Sequence, residues 1–186
     1  MSSQMDPAEV LALEVRQYVG EGLKTFVPRL IGRKVTPPPK PPKWDEASFL
    51  QKLEAEKGGE VAAAARRILG WAEDNAIQIW WGKGNVYGAF GGTLTVQGTK
   101  RYSFTAYTDG KVYLKFTSPP FDKLDKRREY VTRLNDIPSV SIAMEGLRGE
   151  RAVSLEGLAS QNATDRFLSV LTWASSEIKK TDQYPA

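Results

Sequence analysis

Ile77-Gln-Ile-Trp-Trp81, Gly82-Lys-Gly-Asn-Val-Tyr-Gly88-Ala-Phe-Gly-Gly92 and the runs Thr93–Gln97, Arg101–Thr108 and Lys111–Phe116 decide how this chain folds. The three runs are rich in β-branched and aromatic residues, which suit a pleated, half-buried surface. Asp109-Gly110 joins the last two, a pair that signals a hairpin with a type I′ turn and positive φ at both central residues. The stretch therefore predicts an antiparallel sheet entered through a glycine-rich segment. On alternating strands Tyr102 and Phe104 are expected to share a face.

Working outward, Asp45 or Ser48 is placed to cap a short helix carrying Phe49, Leu50 and Leu53, ended by Gly58-Gly59. Glu60–Asp74 has an apolar face at helical spacing through Val61, Ala64, Ala65, Ile68, Leu69 and Trp71. After Pro119-Pro120-Phe121, Asp122 is the expected cap of a third helix over 123–135, with Leu124, Tyr130, Val131 and Leu134 inward. Val140–Met144 and Ala152–Leu155 read as short strands or extended links. Asn162 or Thr164 opens a last helix to about Lys179, whose apolar residues include Phe167, Leu171 and Ile178.

At the other end, Val10–Val19 and Leu23–Ile31 flank Gly20-Glu-Gly22 and read as a β-hairpin, with Pro28 confining the second run to an edge or bulge. A helix over 7–15 is the competing reading, since Asp6-Pro7 makes a sound N-cap and N1 pair. Pro37-Pro-Pro-Lys-Pro-Pro42 reads as a stiff polyproline spacer or a docking segment for an SH3-like or WW-like groove. The expected organisation is a small N-terminal β extension (1–34), a Pro-rich linker (35–43) and an α+β module (44–180). That module is an antiparallel sheet of three to five strands packed by helices.

The 186 residues contain neither cysteine nor histidine, so disulfides, Cys/His zinc sites and Ser-His or Cys-His relays are excluded. Catalysis would rest on carboxylates, Lys, Tyr, Ser/Thr or a carboxylate-held metal, and the expectation is a non-catalytic protein without cofactor or metal. Lys plus Arg number 26 against 22 acidic residues, an excess spread evenly along the chain. Such a balance is compatible with nucleic acid without requiring it. No stretch has the length of a membrane span and the first residues lack a signal-peptide pattern, so a cytoplasmic protein with no membrane partner is expected.

Four constellations bear on function. Gly82-Lys-Gly84-Asn-Val-Tyr-Gly88 matches neither the dinucleotide fingerprint nor a Walker loop. Its glycines serve either a bend and close packing under aromatic rings, or backbone contact with phosphate. Trp80, Trp81, Tyr87, Tyr102, Tyr107 and Tyr113 offer aromatic surface for base stacking, with Lys83, Lys100, Arg101, Lys111 and Lys115 tracking phosphates. The alternative is a helix-packed sheet with Tyr and Trp at its rim. Arg127 and Arg128 stand on a Lys/Arg-rich helix face whose interspersed acids also fit a solvated, salt-bridged surface. Glu14-Val-Arg16 faintly echoes half of a metal-nuclease site but has no upstream acidic partner.

Trp44-Asp-Glu-Ala-Ser-Phe-Leu50, Trp71-Ala-Glu73, Trp81-Gly-Lys-Gly84, Tyr87-Gly-Ala-Phe90, Thr108-Asp-Gly-Lys-Val112, Pro119-Pro-Phe-Asp122, Arg133-Leu-Asn-Asp-Ile-Pro138 and Phe167-Leu-Ser-Val-Leu-Thr-Trp173 follow one another in order. Over 44–175 they resemble an uncharacterised bacterial C-terminal module found downstream of restriction-endonuclease-like domains. Residues 10–32 resemble the last strands of such a domain. The resemblance implies a C-terminal fragment or a shortened copy, without nuclease activity, and supplies no catalytic residues. It makes nucleic acid, a nuclease-like domain or a second copy of the chain the expected partners. An interaction or dimerisation module acting through the aromatic sheet face and the edge strand is the alternative.

Overall fold

Two tight turns set the register of the central sheet. At Gln97-Gly98 both residues have positive φ (49° and 70°), the type I′ geometry that matches strand twist. At the second turn Gly110 alone has positive φ (89°), so the type I′ expectation for Asp109-Gly110 does not hold. The Gly110 amide donates to the Tyr107 carbonyl, and the Asp109 carboxylate accepts the Lys111 amide at 3.0 Å. Asp109 satisfies its neighbour's backbone directly and need not enter the left-handed region.

The computed structural model describes residues 12–20, 23–31 and 44–181. The chain divides into two compact units, 1–41 and 42–186. In the first, β1 (Ala12–Gly20) and β2 (Leu23–Ile31) form an antiparallel hairpin, as expected, with Pro28 opposite Val15. The helical alternative fails over 12–15; Asp6, Pro7 and the proline run lie outside the described residues. A two-stranded ladder gives every strand an outer edge, the setting in which strand prolines occur.

The second unit is α+β. Helices α1 (Glu46–Lys57) and α2 (Gly59–Asp74) precede β3 (Gln78–Trp81), β4 (Ala89–Val96), β5 (Thr99–Tyr107) and β6 (Lys111–Lys115). Then follow α3 (Leu124–Asn135), β7 (Glu150–Ser154) and α4 (Gln161–Lys180). The five strands pair antiparallel in sequence order, with α3 inserted in the connection between β6 and β7. Asp45 and Ser48 form a reciprocal capping box on α1, and Ser160, one turn ahead of the expected caps, accepts the Ala163 amide at the start of α4. Asp122 does not cap α3: the N-cap is Lys123, and no side chain bonds there. Leu124, expected inward, is 47% exposed because the helix begins only at that residue. Residues 140–144 form no strand; the Ile142 amide is taken up by the Asn135 side chain instead.

The core lies between the helices and one sheet face. Phe49 of α1 meets Phe90 of β4 edge-on at 4.9 Å, and Trp71 of α2 leans on Phe104 of β5. Phe116, Phe121 and Tyr130 cluster with Trp173 under α3 and α4. Burial pushes the Tyr130 phenol far up, and among the described residues its hydroxyl has no hydrogen-bond partner. No helix among the described residues is long and apolar enough to cross a membrane.

Candidate functional site

One irregularity decides what each face of the sheet presents. Gly92 pairs with Phe104, but Thr93 pairs with Tyr102, which leaves Ser103 as an extra residue in β5. Such a bulge reverses the alternation beyond it. Phe104 is therefore fully buried against the helices while Tyr102 is 46% exposed on the opposite, outer face. The expectation that these two rings share a face is wrong for this reason. The same reversal turns Arg101, paired with buried Leu94, toward the helix side and leaves Lys100 on the outer face.

On the outer face the register aligns Trp80, Gly91, Thr105, Tyr113 and Ala152 in one row across all five strands. Trp80 lies flat over Gly91; a Cβ there would come within 2.4 Å of the indole. Trp81, the next residue, faces the other way and packs on Phe49 and Phe90. Tyr107 meets Tyr113 edge-on at 5.5 Å. Thr93, Ser103 and Thr105 are buried, Thr93 beside Trp80 and Tyr102, and among the described residues neither the Ser103 hydroxyl nor the Trp80 indole N–H has a partner. Two hollows flank the row. One, of about 340 Å³, is bounded by Trp80, Thr93, Lys100 and Tyr102; the other, of about 250 Å³, by Tyr87, Tyr107, Asp109 and Tyr113.

The lysines divide by role. Lys115 sits 6.0 Å from the Tyr102 ring centre and pairs with Glu150, so its charge is mostly answered. Lys100 and Lys111 are exposed beside the row, and Lys83 is exposed on the β3–β4 loop. Arg127 is spent on structure, donating to the carbonyls of Asp122, Lys123 and Leu147. Arg128 is exposed on α3. The cationic candidates are thus not one surface: Lys83, Lys100, Lys111 and Lys115 accompany the aromatics, while Arg101, Arg127 and Arg128 do not.

The basic face of α3 is a salt-bridged face. Lys126 bridges Glu129 (3.0 Å) and Glu177 of α4 (2.9 Å), Arg133 pairs with Glu129, and Lys180 closes on Glu177. Hydrogen bonds from Lys180 and then Lys126 hold the Glu177 carboxyl below its ordinary range against the opposing effect of burial.

The glycine-rich loop is taken up by packing. Gly88 fits beneath Trp44, whose indole N–H donates to the Gly84 carbonyl at 2.8 Å, and the Gly88 amide donates to the buried Thr108 hydroxyl. Gly82 continues the ladder to Ala89. Trp44 is the residue the sequence reading missed. Its signal was the spacing of glycines that leave room for a ring. Among the described residues no cluster of acidic side chains is arranged to hold a metal ion. No protein-family model, curated protein or solved structure matches the chain.

Proposed function

We propose that the second unit is a non-catalytic module that binds single-stranded nucleic acid across its outer sheet face. One observation carries the reading: the register sets Trp80, Tyr102, Tyr107 and Tyr113 together on the face away from the helices, beside Lys100 and Lys111. Aromatic rings on a sheet accept unstacked bases regardless of sequence, each stack being worth about 1–3 kcal/mol. A broad sheet cannot enter a duplex groove, which favours single strands. The resemblance in the sequence adds a setting for this activity, presentation of a strand to a nuclease-like partner.

The charge pattern bounds the affinity. Two or three lysines on this face correspond to a salt slope of about −1.5 to −2 for a single strand, with most of the binding energy from stacking. Anisotropy of labelled oligothymidine, single-stranded RNA and duplex DNA, measured across a salt series, tests this. Micromolar binding to the single strands with that shallow slope is expected, weakened by Tyr113→Ala and Lys111→Glu. Absence of binding at low salt sinks the proposal.

The first unit favours a second reading, association with another chain. An isolated two-stranded hairpin is marginal in water, and Val15 is 54% exposed on it. A concentration-dependent sedimentation coefficient abolished by Val15→Lys would support that role.

A further inference from the structure

The Ser103 bulge has a second consequence, on the helix side. It aims Arg101 into a cavity of about 410 Å³ between the β4–β5 end of the sheet, the Pro119-Pro120 segment and the C-terminal turn of α4. The Arg101 Nε is buried without a hydrogen-bond partner, and no carboxylate among the described residues pairs with the guanidinium. Glu177 borders the same cavity but is engaged by Lys126 and Lys180. Arg101 is otherwise half-exposed; a guanidinium N–H withdrawn from water without an acceptor is costly, and bulges recur where a strand re-aims a side chain at a site.

We infer that this cavity binds a small monocarboxylate with an apolar body, its carboxylate forked by Arg101. Size and lining fit: Val96, Pro119 and Pro120 form the apolar wall, and the volume lies in the range of ligand sites. Charge decides the class of anion. Of the lining charges, Glu177 is already answered by Lys126 and Lys180 and Asp122 stands beside Lys123, so the Arg101 guanidinium is the charge left for an anion. The planar fork of arginine suits a carboxylate bidentately. The site lies away from the outer aromatic face and stands whether or not that face binds nucleic acid.

The test is titration of the whole chain with benzoate, benzamide and phenyl phosphate, followed by calorimetry and the arginine Nε–H resonances. Benzoate is expected to saturate with a Kd of about 0.1–1 mM and to move one arginine signal, with benzamide at least tenfold weaker. Arg101→Gln should weaken benzoate at least tenfold while the backbone amide spectrum keeps its native dispersion, and Tyr113→Ala should leave binding unchanged. Benzoate binding that survives Arg101→Gln, or none at all, overturns the proposal. Phenyl phosphate binding as tightly as benzoate overturns the assignment to a monocarboxylate.

Discussion

Gly91 shows how one missing side chain builds a surface. Without a Cβ it lets the Trp80 ring lie on the backbone of β4 and begin the aromatic row. Gly91→Ala is expected to cost about 1–3 kcal/mol, measured by urea denaturation, and to shift Trp80 emission as the indole lifts off. A variant with native stability and unchanged emission would mean that Trp80 does not rest there. Gly92 plays the same part on the other face, where a Cβ would meet the Phe104 ring at 2.5 Å. Thr108 is a comparable single-atom device, since its hydroxyl is the buried partner of the Gly88 amide.

At the scale of elements, the hairpins at Gly20-Glu-Gly22 and Asp109-Gly110 were legible because turn residues stand between β-rich runs, α1 because of its cap, and α2 and α4 because of apolar spacing. The faces of β5 were not. Counting back from the Gln97-Gly98 turn sets Arg101 opposite Leu94, whereas pairing β5 with β6 sets Phe104 opposite Leu114. Both registers hold only if one residue is left over, and Ser103 is that residue. Strict alternation had no way to show it. The interspersed acids of α3 did foretell the pairs within it, Lys126–Glu129 and Arg133–Glu129, but not the link from Lys126 to Glu177 of α4. Glu177, depressed on folding by Lys180 and Lys126, stabilises fully above its unfolded value near 4.5 and loses that contribution as pH falls through its lower folded value. Glu177→Gln is therefore expected to cost about 1–2 kcal/mol at neutral pH. The gap between variant and native protein should close below pH 4.5, as chemical denaturation at neutral and acidic pH would read. A gap that persists unchanged in acid would rule out this linkage.

For the whole molecule, every large, fully buried side chain among the described residues belongs to the second unit, from Phe49 to Phe167. A chain starting at Pro42 is thus expected to fold cooperatively, with its Tm within about 3 °C of the full chain. A molten spectrum would show that the first unit is needed for the core. The functional reading depends on the same unit, and on one face of it. Of the five cationic residues expected beside its aromatics, Arg101 alone is turned to the other face, by the bulge at Ser103. Titration of the 15N-labelled protein with oligothymidine, followed by amide and indole resonances, tests that reading most directly. Perturbations centred on Trp80, Tyr102, Thr105 and Tyr113, with α3 and α4 silent, are the predicted result. Perturbations concentrated on the α3 surface around Arg128, or none at saturating oligonucleotide, would contradict it.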